Sequence, residues 1–152
     1  MSIRRINKEC EVYPAPFDVR FPEGDENDED ILTVVQPDIS VICDKKRLDN
    51  RRYRGAPELV IEIVSPSTGD RDRILKRKLY EKHGVKEYWL VDYQDKKVEV
   101  YLNNDRVKIQ KGCGKGENRF REPFLYNERD TAAVNIFDDF SINLADVFRG
   151  LE

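Results

Sequence analysis

Two carboxylates in this 152-residue chain are placed where they could act together. Glu62 interrupts the β-branched run Val60-Ile61-Glu62-Ile63-Val64, a pattern expected of a strand covered on both faces. An ionised carboxylate is costly there unless it is paired or bound to a cation. A leucine would pack without that cost, so the acid needs a reason. Metal ligation is one; a strand-end salt bridge or a partly exposed face is the plainer one. Asp38 follows Pro37 at the head of a second apolar run, Ile39-Ser40-Val41-Ile42. If the two runs pair as antiparallel neighbours in equal register, Asp38 faces Val64 and Glu62 is its diagonal neighbour on the same face. Diagonal partners lie about 7–8 Å apart, near enough for two carboxylates to converge on one cation. A slip of one residue would put them on opposite faces. The plainer role for Asp38 is a Pro-Asp turn residue.

Composition narrows the cation. The single histidine, His83, excludes multi-histidine metal sites. Cys10, Cys43 and Cys113 are odd in number, widely spaced and form no CxxC pair. They suit free thiols in a reducing cytoplasm better than a disulfide framework or a zinc site. A metal site would therefore use oxygen ligands, which favour Mg²⁺, Mn²⁺ or Ca²⁺. Phosphate-ester hydrolysis would also need positive charge beside the attacked phosphate. Lys76 and Lys78 flank the apolar face of the helix expected after the Glu62 run, on opposite sides, and helical geometry does not choose between them. Each also reads as an ordinary solvated lysine.

The elements that must position these groups follow from the pattern along the chain. Residues 11–14 and 17–21 read as short strands separated by a Pro-Ala-Pro kink. The acidic run from Glu23 to Asp30 reads as an exposed loop. Asp38 to Cys43 and Glu58 to Val64 are strands, with the basic stretch from Lys45 to Arg54 as a loop between them. Ser65-Pro66-Ser67-Thr68-Gly69-Asp70 stops the second strand and supplies capping groups. A helix follows to about His83, with Ile74, Leu75 and Leu79 on its apolar face and Tyr80 at the edge. Asp70 and Asp72 in its first turn and Lys78 and Lys82 later suit the helix dipole, and Gly84 ends it. His83 is expected as a polar residue at that end rather than a base. Glu87 to Tyr93 is a buried strand with Trp89 in the core, Gln94 to Lys97 a turn, and Val98 to Leu102 its return. Residues 106–110 and 120–126 suggest further strands across the loop Gly112 to Gly116, which lacks the spacing of a phosphate loop. Asn143 to Phe148 reads as a short helical turn. The expectation is one domain spanning residues 1–152, a mixed sheet carrying a helix between two strands.

Charge sets the partner class only loosely. The net charge is −3 and the charged fraction 38%, so this is no globally basic binder. The Lys45–Arg54 stretch, with Tyr53 amid arginines, could still touch a phosphate backbone. No stretch approaches the roughly 20 apolar residues that span a membrane.

Four segments in order carry a resemblance. Gln36–Asp44 (QPDISVICD), Gly55–Thr68 (GAPELVIEIVSPST), Asp72–Tyr80 (DRILKRKLY) and Gly84–Asp92 (GVKEYWLVD) closely resemble the Uma2 family of bacterial proteins. The resemblance implies an α/β restriction endonuclease-like fold, a mixed β-sheet with a helix after the central Glu62 strand. It implies a PD-(D/E)xK-type site in which Asp38 and Glu62 hold Mg²⁺ or Mn²⁺. Val64 stands where the motif's lysine usually does, and in this family the lysine has moved to the next helix, four residues before a tyrosine. That maps onto Lys76 and Tyr80, so the resemblance, not geometry, selects Lys76 over Lys78. Asp72 and Arg73 also match, though capping or packing is a sufficient role for them. Relatives carry a longer N-terminal helix and hairpin layer, so a shortened layer with an edge open to a partner subunit is expected here. The implied function is a metal-dependent endonuclease of the cytoplasm, acting on DNA rather than RNA, as a homodimer. The alternatives are a catalytically idle nuclease-fold module serving in binding or assembly and, more remotely, a hydrolase of another phosphorylated substrate.

Overall fold

The computed structural model describes residues 9–64, 70–103 and 118–149, apart from the side chains of 70–72. In chain order the strands are β1 (Glu11–Pro14), β2 (Val19–Phe21), β3 (Thr33–Val35), β4 (Ile39–Ile42), β5 (Leu48–Asp49), β6 (Arg52–Arg54) and β7 (Leu59–Val64). After helix α1 (Asp70–Lys82) come β8 (Glu87–Asp92), β9 (Lys97–Leu102), β10 (Phe124–Asn127), β11 (Thr131–Ala133), β12 (Ser141–Asn143) and the short helix α2 (Leu144–Val147).

The main sheet has the order β1-β4-β7-β8-β9-β10. Only β7 and β8 run parallel, because α1 supplies the crossover between them. Residue parity assigns the sheet's two faces. Ile42, Val60, Val64, Tyr88, Leu90 and Tyr101 point to the α1 side, where Tyr80 and Val85 complete a core. Val41, Leu59, Ile61, Trp89, Val91 and Val100 point to the other side, covered by Ala132, Val134, Phe137 and Leu144. The expected helix is present and ends as Gly84 allows. That residue takes φ 84°, Gly84 N–H donates to the Glu81 carbonyl and Val85 N–H to the Tyr80 carbonyl.

Several expectations are corrected. The single mixed sheet is accompanied by a second, β3-β2-β6-β5, and by the β11–β12 pair. Of the second sheet's strands, β2 falls within the expected strand at 17–21, whereas β3, β5 and β6 are only two or three residues long, too short for period-two patterning to mark them. Two of them occupy the basic stretch that reads as a loop. Tyr53 there is 1% exposed and sits in the core rather than facing solvent. Arg54 binds Asp28 at 2.9 Å, and Arg20 binds Asp28 and Asp49 at 2.7 and 2.6 Å. Part of the acidic run thus folds back to satisfy arginines of the second sheet.

The helix docks differently from its sequence pattern. Tyr80 is fully buried against Phe21 and Tyr88, whereas Ile74 and Leu75 are exposed. Its C-terminal half meets the aromatic core, while its first turns flank the polar groups Glu62 and Asp92. His83 stacks on Phe21 at 4.5 Å and is a packing residue. The cysteine expectation is also overturned: Cys10 and Cys43 form a disulfide. The β1–β4 register pairs Glu11 with Ile42, and one step further sets the two cysteines opposite each other. They are 33 positions apart in sequence, so spacing could not reveal it.

The capping run 65–69, the strand expected at 106–110, the loop Gly112–Gly116 and Cys113 lie outside the described residues, as do the side chains of Asp70 and Asp72. Among the described residues no helix is long and apolar enough to cross a membrane.

Candidate active site

β4 and β7 pair antiparallel with Ile39 opposite Ile61, Ser40 opposite Val60 and Val41 opposite Leu59. One step further along this register sets Asp38 opposite Glu62 itself. The expected partner was Val64, a two-residue difference that preserves parity and leaves both carboxylates on the α1 side. Each carboxylate then binds the other's strand. Asp38 N–H donates to Glu62 Oε1 at 3.1 Å, and Ile63 N–H donates to Asp38 Oδ2 at 2.7 Å. Ala15 N–H donates to the Asp38 carbonyl at 2.9 Å, tying that strand head to the segment after β1.

Lys76 enters from α1. Its Nζ lies 2.5 Å from Glu62 Oε2. Six residues into the helix, it overhangs the C-terminal half of the strand that precedes it, whereas Lys78 is exposed. The three residues singled out in the sequence, Asp38, Glu62 and Lys76, therefore stand together. Arg73, one turn before Lys76, instead faces Asp92 at 3.6 Å.

Glu62 is only 3% exposed. Burial pushes its pKa above the ordinary glutamate value, while Lys76 and the Asp38 amide pull it back down and the Asp38 charge adds to the rise. A second buried glutamate shows what a purely structural carboxylate looks like here. Glu87, fully buried, accepts from Trp89 Nε1, the Asn135 amide and side chain, and the Ile136 amide. Its two oxygens are used up in pinning the 134–137 turn under the sheet. Glu62, by contrast, meets one backbone amide and one lysine that is itself 40% exposed. Of the two, Glu62 can exchange its partner for a ligand.

Two neighbours escaped the sequence reading. Ser40, fully buried two residues after Asp38, has an Oγ without a hydrogen-bond partner among the described residues. Gln36 Nε2 donates to Asp18 Oδ1 at 2.6 Å, holding a third carboxylate against the segment that leads into Asp38. Parity with Asp38 could have marked Ser40; nothing in the sequence marks Asp18. Among the described residues no three His, Cys, Asp or Glu side chains are grouped to hold an ion. Two facing carboxylates nonetheless suit a hard cation such as Mg²⁺, which keeps several waters and commonly binds through one or two carboxylates plus substrate phosphate.

Comparisons with known proteins bear on the family and the fold. The sequence model of the Uma2 family, described as "Putative restriction endonuclease", matches residues 2–132. "Uncharacterized protein slr1290" of Synechocystis sp. is 36% identical over 70 residues, a match that spans 45% of this chain and 37% of that relative. A crystal structure described as "a putative nuclease belonging to DUF820", from Anabaena variabilis, matches with a TM-score of 0.67 and 19% identity. It covers 99% of this chain and 74% of the other. At that identity the likeness speaks for the fold, which is a restriction endonuclease-like arrangement of mixed sheet and few helices.

Proposed function

Because the chain belongs to the Uma2 family, we propose that it is a metal-dependent endonuclease hydrolysing phosphodiester bonds, with Asp38, Glu62 and Lys76 as its working residues. The observation that carries this reading is the direct opposition of Asp38 and Glu62 on neighbouring strands, with Lys76 resting on the buried member. Asp38 and Glu62 would hold Mg²⁺ or Mn²⁺. Such an ion supplies Lewis-acid charge to phosphoryl oxygens and eases deprotonation of water. Lys76 gives up its contact with Glu62 Oε2 and turns its ammonium toward the phosphate, offsetting charge that develops there. The amides of Asp38 and Ile63, donating to the Glu62 and Asp38 carboxylates, orient both side chains.

DNA is the proposed substrate, in keeping with the family's description as restriction endonucleases. Two copies are proposed to pair through the sheet margin, since β1 and β10 are outer strands of the described sheet. The second reading, a catalytically idle module, is favoured by one observation: the described residues contain no third ligand grouped with the pair.

The test is cleavage of linear and supercoiled DNA and of RNA with Mg²⁺ or Mn²⁺. Cleavage should fall at least about 100-fold in Asp38→Asn and Glu62→Gln, the scale of losing a charge-stabilising group. Activity undiminished in both variants would point to a contaminant. Absence of cleavage, together with no carboxylate-dependent Mn²⁺ binding by calorimetry, leaves the idle module standing.

A further inference from the structure

α1 has a second polar flank that the carboxylate pair does not use. Register places Glu62, Leu90 and Glu99 side by side across β7, β8 and β9 on the α1 face. With strands about 4.8 Å apart, Glu99 lies roughly 10 Å from Glu62 at the backbone. Between this part of the sheet and α1 is a cavity of about 340 Å³. Arg73, Ile74 and Arg77 line it from the helix, while Leu90, Glu99 and Tyr101 line it from the sheet. Arg73 and Arg77 share a helical face, being four residues apart.

Neither guanidinium is used up by its surroundings. Arg73 stands 3.6 Å from Asp92, beyond hydrogen-bond reach, and its Nε is buried without a partner among the described residues. Asp92 accepts from the amides of Gln94 and Asp95 on Oδ1, both at 3.0 Å, and faces Arg73 with Oδ2. Arg77 lies over the Tyr101 ring, 5.7 Å from its centroid, and hydrogen-bonds the Tyr101 side chain, so its partner is a neutral phenol rather than a carboxylate. Glu99 accepts from Tyr101 Oη at 2.9 Å, and among the described residues it pairs with neither arginine. A cavity lined by two guanidiniums and one engaged carboxylate has a surplus of positive charge. Arginine's planar fork matches phosphate oxygens, and its outer plane stacks on bases. Ile74 and Leu90 add apolar surface, and the volume suits a small ligand.

We propose that this cavity is a second binding site, for a phosphate-bearing nucleotide, with Arg73 and Arg77 holding the phosphate and the base lying against Ile74 and Leu90. It adjoins Glu62 across Leu90 but uses neither carboxylate of the pair, and it needs no metal. Equilibrium dialysis of the intact protein against radiolabelled adenosine monophosphate, in EDTA, tests it, with inorganic phosphate as competitor and Glu62→Gln as control. Saturable binding should weaken about tenfold in Arg77→Gln and in Arg73→Gln, the scale of one lost charge-assisted contact. Arg77→Lys, which keeps the charge and loses the fork, should fall between. Glu62→Gln should bind as the native chain does, whether or not the protein cleaves nucleic acid. Circular dichroism checks that each variant is folded, and Arg73→Gln carries the test if Arg77→Gln is not. No binding at millimolar nucleotide, binding indifferent to both arginines, or binding lost in Glu62→Gln would overturn the assignment. Inorganic phosphate binding as tightly as the nucleotide would do so too.

Discussion

Glu62 faces Asp38 across β4 and β7, and its carboxylate takes the Asp38 amide on one oxygen and the Lys76 ammonium on the other, at 3.1 and 2.5 Å. The two bonds differ in kind. The amide is fixed by strand pairing, whereas the lysine is on a long, partly exposed side chain. On the proposed function, a metal ion arriving at this carboxylate would displace the lysine and leave the amide in place.

The two buried glutamates should therefore answer to the same substitution in opposite ways. In Glu62→Gln the amide oxygen still accepts from Asp38, Lys76 turns to solvent, and a charge that burial disfavours is gone. The melting temperature should hold or rise while Mn²⁺ binding is lost. Glu87→Gln instead sets an NH₂ group where one carboxylate oxygen accepted, facing either the Ile136 amide on one side or the Trp89 and Asn135 donors on the other. Each buried donor left unpaired costs about 1–3 kcal/mol, and melting should drop by roughly 2–4 °C per kcal/mol. Thermal melts decide this, and the opposite ranking would remove the distinction between a ligand carboxylate and a structural one.

Lys76→Ala should lower cleavage by roughly 100-fold, within the range for a positioned proton-transfer or charge-stabilising group. Lys78→Ala, on the exposed side of the helix, should leave it unchanged. Rates measured at saturating Mg²⁺ separate the two, and equal losses would count against a specific role for Lys76.

His83 predicts an acid-side loss of stability. Its side chain is 8% exposed and stacked on Phe21. Burial lowers its pKa below the ordinary 6.5, with Glu23 opposing and Lys82 adding to the fall. The folded chain then holds fewer protons than the unfolded one between the lowered value and 6.5. Its contribution to stability is complete above pH 6.5 and is lost as pH falls through the lowered value. The stability difference between the native chain and His83→Phe should be constant above pH 7 and shift in favour of His83→Phe as pH falls below 6.5. A difference that stays constant down to pH 5 would contradict the buried-imidazole account.

The Cys10–Cys43 bond joins the edge strand β1 to the strand headed by Asp38. Alkylation of unreduced, denatured protein should label one of its three cysteines. Cys43→Ser should cost about 2–4 kcal/mol, as expected for opening a loop of this length. Three labelled thiols in protein purified without reductant would show that the bond does not form.

The sequence by itself determined the elements whose signals are local. The β-branched run around Glu62, the Glu87 strand and the helix closed by Gly84 were all legible, because alternation, length and a left-handed glycine act within a few residues. The same apolar neighbours marked Glu62 as unusual but left a partly exposed face open, and the tertiary structure buried it. Tertiary structure alone decided what Glu62 meets. The register that sets Asp38 across from it, the approach of Lys76, the joining of Cys10 to Cys43 and the folding of Asp28 onto Arg54 all depend on contacts between segments 14 to 33 positions apart. Even the helix could not be docked from its own pattern. Ile74 and Leu75 are as apolar as a core demands, yet Tyr80 is buried in their stead, because Phe21 and Tyr88 come from strands that no local period connects to it.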